Sequence, residues 1–439
     1  MRHNTYMLDE TLIKIKGFIP APIFGFFQPA YHWSLSFLAA LVYGFPSRKI
    51  NVIAVTGTKG KSSTTEILNA ILEKAGNKTA LSNTIRFKIG DKSERNLFKM
   101  SMPGRFSMQR LIRRAVGENC KYFIAEMTSQ GSLLFRHRFI DINTLIFTNL
   151  SPEHIEAHGS YKNYVDAKLN IAKNMERSSK RPTTIIVNSD EKESSQFLSY
   201  SVNKKISYNH KEAEPYKIKE IGLEFTFDSH PMRSNLSGLF NLYNILAAAT
   251  CAKNEGTPNN TIAAAIAEFD HIPGRVEKIE TGQDFTVVVD YAHTADSLEK
   301  LYMVFRPNPR IKSDLQKTVL QKLIAILGGT GGGRDTSKRA VMGKLADDYC
   351  DIVILTNEDP YDEDPQKIVT DVSKGVTSKK PLIIMDRRLA IREAVKQART
   401  GDVILITGKG TDPYIMGPRG TKTPWSDADI AREEIRASL

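Results

Sequence analysis

The chain's most informative chemistry lies in one short run, Thr56-Gly57-Thr58-Lys59-Gly60-Lys61-Ser62-Ser63. Glycines at this spacing let backbone N–H groups approach phosphate oxygens, and a helix opening directly after them adds a partial positive charge. Lys61 is then placed to reach terminal phosphates, and Ser62 to coordinate Mg²⁺. The general phosphate-loop pattern has a further glycine, with four residues between it and the Gly-Lys pair. Here that position is Val55, which leaves the shorter G-T-x-G-K-S form. A Gly-Lys-Ser string alone is often only a turn, so its flanks decide. The apolar run 51–55 precedes it, and Ile67, Leu68, Ile71, Leu72 and Ala75 share one helical face after it. Strand, glycine loop and amphipathic helix together predict a nucleotide site built from residues 57–63.

Further apolar runs at 122–125, 144–147, 184–187, 286–289, 323–327, 352–355, 382–384 and 403–406 are mostly β-branched and are followed by loops with Gly, Asp, Asn or Pro. Buried parallel strands with helical crossovers read this way, which predicts an α/β fold with mostly parallel sheets. Ligands in such sheets bind beyond the carboxyl ends of the strands. Glu126, closing the run at 122–125, is therefore placed as a Mg²⁺ ligand or water-holder; the competing reading is a capping or salt-bridged carboxylate. A boundary falls near Ile272-Pro273-Gly274-Arg275, after helical stretches at 242–252 and 261–269. The expected organisation is an apolar N-terminal segment (1–46), a central nucleotide-binding domain (47–275) and a C-terminal domain (276–439). The polar stretch 191–219 reads as a small β excursion or insertion.

Apolar residues make up 41% and charged residues 25%, as in a soluble globular protein. Cys120, Cys251 and Cys350 are far apart and form no CxxC pair, which argues against a disulfide framework or a zinc cluster and for a reducing, cytoplasmic setting. The net charge of +12 is spread along the chain and fits anionic small-molecule substrates, with nucleic acid a lesser reading. Residues 17–45 are apolar and aromatic, but Pro20, Pro22 and Pro29 interrupt them, leaving only 31–45 as an unbroken helix. That is shorter than the roughly 20 residues a bilayer span needs. Two readings remain open: a helix packed on the body of the protein, or a peripheral membrane contact with Lys14 and Lys16 toward headgroups.

TGTKGKSSTTE resembles the ATP loop of the Mur ligases, and folylpolyglutamate synthases share a similar loop. The likeness runs from about residue 51 to the C-terminus: AEMTS (125–129), TNLSPEHIEAHGSYKNYVDAK (148–168), NLYNILAAA (241–249), PGRVEKI (273–279), DYAHTADSLEKL (290–301), GGTGGGRDTSKR (328–339), TNEDPYDEDP (356–365) and GKGTD (408–412). It is nearest to the branch that adds the third amino acid to UDP-N-acetylmuramoyl-dipeptide. The resemblance implies a central P-loop domain, a Rossmann-like C-terminal domain, ATP and Mg²⁺ as cofactors, and a monomer joining a nucleotide-sugar peptide to an amino acid through an acyl phosphate.

Residue by residue, the resemblance implies that Lys61, Glu126, His154 and Lys168 carry catalysis. Two Mg²⁺ sites would use Ser62, Glu126, His154 and a carbamylated Lys168. His158 is expected to be structural. Asn241, Asn244 and His293 match adenine-facing positions, Arg275 a phosphate contact and Asp290 a ribose contact; Asn244 and His293 read equally as satisfied core groups. Ser101, Pro103, Thr128, Ser129 and Arg136 match donor-substrate positions. The acceptor amino acid would meet Arg334, Glu358, Asp359, Tyr361, Gly408 and Asp412.

Two departures bear on the substrates. Tyr361 stands where diaminopimelate-adding members carry an arginine, and it cannot form that residue's bidentate ion pair. Glu358, Asp359 and Asp412 then suggest an acidic pocket for an amino acid with a distal ammonium, such as lysine, with Arg334 for the α-carboxylate; a solvated acidic turn is the bland alternative. About 46 residues precede the ATP loop domain where the family has a uridine-diphosphate-binding domain, so a differently held or lipid-linked donor is conceivable. The rival functions are a folylpolyglutamate-synthase-like ligase, an ATP-binding membrane or scaffold protein without ligase activity, and a nucleic-acid-stimulated ATPase.

Overall fold

The computed structural model describes residues 21–153, 155–219, 222–306 and 321–438, without the side chains of 21–26. The first β-branched run forms β1 (Asn51–Thr56), the centre of an eight-stranded sheet. Its other strands are β2 (Thr79–Ser82), β3 (Arg86–Ile89), β4 (Lys92–Arg95), β5 (Tyr122–Glu126), β6 (Thr144–Phe147), β7 (Thr184–Asn188) and β8 (Lys204–Tyr208). The order is β4-β3-β2-β5-β1-β6-β7-β8. All pairs are parallel except the β2–β3 and β3–β4 pairs at one edge.

Successive residues of a strand face opposite sides, so β1 and its neighbours build two cores at once. Ile53, Val55, Ile124, Ile146 and Ile186 pack under helices Lys61–Lys74 and Leu239–Asn254. Val52, Ala54, Phe123, Leu145, Phe147 and Val187 meet helices Arg105–Gly117 and Tyr161–Met175. Burial on both faces explains why these runs are apolar throughout rather than alternating. From β1 the chain turns toward β2 and β5, and from β6 toward β7 and β8. The direction of winding therefore reverses between β1 and β6, which opens a crevice at their carboxyl ends.

The stretch 191–219 is only partly an excursion. It supplies β8, a full member of the main sheet, because Ile206 and Tyr208 have apolar neighbours to pack against. Only β9 (Lys217–Ile218) belongs to a separate three-stranded antiparallel sheet with β10 (Leu223–Phe227) and β11 (His230–Ser234).

A second sheet has the order β12-β13-β17-β14-β15-β16. Its strands are β12 (Glu277–Ile279), β13 (Thr286–Val289), β14 (Leu323–Leu327), β15 (Ile352–Leu355), β16 (Leu382–Ile383) and β17 (Val403–Ile406). Only the β12–β13 pair is antiparallel. A hairpin of β18 (Tyr414–Met416) and β19 (Lys422–Pro424) follows. Where the chain passes between the two large sheets, Gly274 has φ +62°, and a Cβ there would lie 2.5 Å from the Thr411 amide nitrogen. No side chain fits that approach, so glycine is required.

The N-terminal segment differs from expectation. One helix runs Ala21–Val42 with Pro29 inside it. Pro22 sits in the first turn, where no N–H partner is needed. Pro29 forfeits one helical hydrogen bond, and the helix continues because its far half is docked: Ala39 and Ala40 are buried, and Ser36 Oγ donates to the Phe135 carbonyl at 2.9 Å. Among the described residues no helix is long and apolar enough to cross a membrane.

Candidate active site

The phosphate loop joins β1 to helix Lys61–Lys74 and is clamped by the loop after β6. Thr58 N donates to the Asn149 carbonyl at 2.9 Å, Lys59 N to Asn149 Oδ1 at 2.8 Å, and Thr148 Oγ1 to the Lys59 carbonyl at 2.8 Å. Thr58 Oγ1 also shares a 2.9 Å hydrogen bond with Tyr164 OH. A Cβ on Gly60 (φ +79°) would fall 2.2 Å from Asn244 Oδ1. The loop thus needs glycine for its backbone angle and for the close approach of helix Leu239–Asn254. In that helix Asn244 Nδ2 donates to Asn241 Oδ1 (3.1 Å), and Asn241 Nδ2 to the Ser237 carbonyl (2.8 Å).

Lys61 curls back over its own loop, with Nζ 3.0 Å from the Gly57 carbonyl and 2.8 Å from that of Thr58. Burial lowers its pKa, opposed by the charges of Glu126 and Glu153. Ser62 and Ser63 are buried in the first turn of the helix. Glu126, fully buried at the end of β5, accepts from Thr84 N (3.1 Å) and Thr84 Oγ1 (2.9 Å). Thr84 Oγ1 in turn lies 2.7 Å from Ser101 Oγ. Thr84 was not marked by the sequence; its only signal is a small polar residue just past the carboxyl end of β2.

Lys168 is 2% exposed, and its Nζ donates to the Gly57 carbonyl at 2.6 Å and lies 4.7 Å above the Tyr164 ring. Burial and the neighbouring Lys61 charge push its pKa well below the ordinary lysine value. Lys168 is therefore not a solvated helix lysine. His154 lies outside the described residues. His158 is nearly buried, with Nε2 3.1 Å from Ser129 Oγ.

Loop glycines that admit no Cβ, a helix opening directly after them, a buried helical lysine (Lys168) and a buried carboxylate at the end of β5 (Glu126) fit ATP with a magnesium ion. Among the described residues no group of three or more His, Cys, Asp or Glu side chains could hold a metal by itself. That suits Mg²⁺, which takes few protein ligands and fills its shell with phosphate oxygens and water.

Residues from the second sheet face this crevice. His293 Nδ1–H donates to the Tyr291 carbonyl at 2.7 Å, its Nε2 lies 3.9 Å from Glu153, and burial pushes its pKa down to about 3. Arg275 stacks over the Tyr291 ring at 4.3 Å. Asp290 spends two carboxylate positions on the Val276 and Ala292 amides, each at 2.7 Å, so it pins the joint whatever else it touches.

Of the donor positions, Thr128 caps the short helix Ser129–Leu133 by accepting from Gly131 N. Arg136 Nη1 donates to the Met102 carbonyl at 2.6 Å and so holds the loop carrying Ser101 and the buried Pro103. Arg105, just after that loop, reaches His32 Nδ1 of the N-terminal helix at 2.6 Å.

The acceptor positions come together, but the acidic pocket expected there is a charge-balanced cluster. Lys409 Nζ meets Asp359 Oδ1 at 2.8 Å and Asp412 Oδ2 at 3.5 Å, while Lys99 Nζ from the other sheet meets Asp359 Oδ2 at 2.5 Å and Asp412 Oδ2 at 3.3 Å. Two lysines thus neutralise two aspartates. Glu358 is buried; Thr330 Oγ1 donates to one oxygen at 2.9 Å, the other has no partner among the described residues, and burial beside Asp359 raises its pKa. Gly408 is the residue that leaves room for it, since a Cβ there would lie 2.4 Å from Glu358 Oε2. Tyr361 takes φ +53° with its ring against Gly332. Arg334 is exposed.

A phosphate loop at the switch point of a parallel sheet, faced by a second α/β sheet, defines a P-loop α/β enzyme. Residues 55–252 match the Mur ligase middle domain, and residues 274–410 the Mur ligase glutamate ligase domain. The UDP-N-acetylmuramoyl-L-alanyl-D-glutamate–2,6-diaminopimelate ligase of Syntrophomonas wolfei is 34% identical over 418 residues, covering 92% of this chain and 82% of that one. The UDP-N-acetylmuramyl-tripeptide synthetase of Roseiflexus is 32% identical over 447 residues, covering 95% and 84%. Among solved structures, a diaminopimelate ligase of the same description superposes with TM-score 0.58 at 25% identity, covering 89% of this chain and 79% of that one. A folylpolyglutamate synthase of Mycobacterium tuberculosis shares the fold, with TM-score 0.64 at 14% identity over 85% of this chain and 92% of that one. The chain belongs to the Mur ligase family, the ATP-dependent, ADP-forming amide ligases of peptidoglycan precursors that use Mg²⁺.

Proposed function

We propose that the protein joins the carboxylate of a UDP-muramoyl-peptide-like precursor to the amine of an amino acid through an acyl phosphate. The observation that carries this reading is the convergence of Lys61, Glu126 and Lys168 on one crevice, with donor and acceptor loops on either side of it. The donor carboxylate attacks the γ-phosphorus of ATP; the new P–O bond forms as the bond to the ADP oxygen breaks. The acceptor amine then attacks the acyl carbon, loses its proton, and inorganic phosphate leaves. Lys61 and the amides that open helix Lys61–Lys74 would neutralise charge on the transferring group, where fixed donors in a water-poor site act strongly. Ser62 and Glu126 would hold one Mg²⁺ ion, which would supply positive charge to offset that of the phosphates.

Lys168 suits a second ion only as a carbamate, and its environment favours that chemistry. A neutral amine is the form that adds CO₂, and burial beside Lys61 shifts Lys168 toward that form. His154 would complete that site. Asn241, Asn244 and His293 would line the adenine, Arg275 the phosphates and Asp290 the ribose. Ser101, Pro103, Thr128, Ser129 and Arg136 would hold the donor, and Arg334, Glu358, Asp359, Tyr361, Gly408 and Asp412 the acceptor.

The N-terminal helix presents Trp33, Phe37, Leu38, Leu41 and Val42 to solvent while burying His32 and Ser36. Its aromatic patch, in which Trp33 and Phe37 lie 5.3 and 5.4 Å from Phe139, is flanked by Arg48 over Phe45 and Arg138 over Phe135. Apolar rings rimmed by arginine suit an anionic lipid surface, and His32 ties the helix to the donor loop. We read it as a peripheral membrane contact beside the donor site. Co-sedimentation with anionic vesicles, lost in a Trp33→Ser/Phe37→Ser variant, supports this; equal binding by the two forms refutes it.

The ligase reading is tested by phosphate release from ATP with UDP-muramoyl-dipeptide and single amino acids. Release that needs both partners supports it. ATP binding without stimulation by any pair removes this donor class.

A further inference from the structure

We propose that Lys99 closes the acceptor site to amino acids whose side chain ends in a lone ammonium. The inference deepens the ligase reading above and overturns the lysine preference that the acidic motifs suggest by themselves.

Lys99 follows β4 and belongs to the same lobe as the phosphate loop, yet its ammonium lies among the acceptor motifs of the other lobe. Its position is built. Lys99 adopts φ +55°, uncommon for a side chain other than glycine. The buried Asn96 fixes the turn: its Nδ2 donates to the Asn83 and Met100 carbonyls at 2.8 and 2.9 Å, and its Oδ1 accepts from Phe98 N at 2.9 Å. The Phe98 ring stands edge-on to Phe87 at 5.7 Å. Held this way, the lysine side chain is only 15% exposed.

The cluster around it leaves neither Asp359 nor Asp412 without a counter-charge. Asp359 Oδ1 accepts from Lys409 and from the Met416 amide, each at 2.8 Å, and Oδ2 from Lys99. Asp412 meets both lysines. The two aspartates are 6% and 7% exposed, so water does little to screen these pairs. Arg334 and Lys338 add positive charge nearby, and both influence groups of this site. A substrate ammonium would have to displace Lys99 and would then repel it. A neutral far end meets no such conflict, and a far end bearing a carboxylate finds Lys99 itself.

The test uses the full chain and three forms: wild type, Lys99→Met and Lys99→Arg. The panel is alanine, glutamate, diaminopimelate, ornithine and lysine, with kcat/KM for each from phosphate release. Binding of the same amino acids in the presence of ADP and no donor is measured by calorimetry. We expect wild type to discriminate against ornithine and lysine. Lys99→Met should raise lysine relative to alanine by about tenfold or more, the scale of one ion pair recovered in a shielded site, and Lys99→Arg should not. Wild-type preference for lysine or ornithine, or a ratio unmoved by Lys99→Met, overturns the proposal. If no amino acid stimulates phosphate release, the ligase reading fails separately. The binding panel still decides: gained lysine binding in Lys99→Met supports the lysine block, and no gain refutes it. Lys99→Arg keeps the charge and serves as the folded reference should Lys99→Met lose stability.

Discussion

Replacing Thr84 by valine probes the link between the proposed metal site at Glu126 and the proposed donor loop at Ser101. Valine keeps the shape and the backbone N–H that bonds Glu126 but deletes Oγ1, which donates to Glu126 Oε2 at 2.9 Å and contacts Ser101 Oγ at 2.7 Å. A hydrogen bond to a charged group is worth about 1.5–3 kcal/mol. Glu126 is fully buried, so no water replaces the lost donor. At about 1.4 kcal/mol per decade, the carboxylate loses roughly 10- to 100-fold of its preference for the orientation that faces the loop. If Glu126 holds magnesium in the transition state, phosphate-release assays with titrated Mg²⁺ should show kcat falling within that range and the Mg²⁺ requirement rising. Thr84→Ser, which keeps the hydroxyl, should stay near wild type. A Thr84→Val enzyme within about twofold of wild type in both quantities would refute the reasoning, since uncoupled groups leave transition-state binding untouched.

Lys168 should carry a mass increment of one CO₂ in native mass spectrometry with bicarbonate, lost on acidification, and Lys168→Met should abolish both the increment and turnover. Its depressed pKa also means that the unfolded chain binds the extra proton, so the uncarbamylated protein should gain stability as pH rises toward the ordinary lysine value, as measured by denaturant titration. His293, with its pKa pushed to about 3, should contribute stability that is present above about 6.5 and lost as pH falls toward 3; His293→Asn should flatten part of that acid-side loss. Arg387, buried against Asp427 with Nε and Nη2 at 2.8 and 2.7 Å, should cost about 3–5 kcal/mol of unfolding free energy when changed to methionine, because the buried Asp427 loses its counter-charge and keeps the Trp425 Nε1 hydrogen bond.

The sheets were legible because their strands are buried on both faces. Runs such as 323–327 and 403–406 need no partner to be recognised, and the structure turns them into β14 and β17 unchanged. The phosphate loop was legible because its function is local: glycine angles, backbone amides and a helix start all lie within eight residues. The N-terminal helix was misjudged at Pro29 because local propensity cannot see the docking of Ala39 and Ala40. The acceptor site was misjudged more deeply. Glu358-Asp359 and Asp412 read as acidic because their counter-charges are remote in sequence: Lys99 is 260 residues from Asp359. A lysine in a polar turn after an edge strand carries no mark of what it will reach.

The way the two lobes meet follows from the chemistry proposed for them. No apolar core cluster among the described residues spans the joint: the buried members of two lie at or before Ile272, and those of the other two lie after it. The lobes are tied instead by polar contacts between loops. Arg95 reaches the Thr411 carbonyl at 2.9 Å, the Asp335 amide reaches Glu156 at 2.9 Å, Glu153 lies beside His293, and Lys99 enters the acceptor cluster. Partly exposed contacts of this kind contribute about 0–1 kcal/mol each, and only the shielded Lys99 pairs should exceed that. An acyl phosphate must be kept from water while the amine attacks, which asks for closure. ADP, phosphate and the lengthened precursor must then leave, which asks for closure weak enough to reverse each cycle. An apolar interface would satisfy the first demand and defeat the second. A few ion pairs gathered around the substrates satisfy both, and they make the strength of closure depend on what occupies the acceptor pocket.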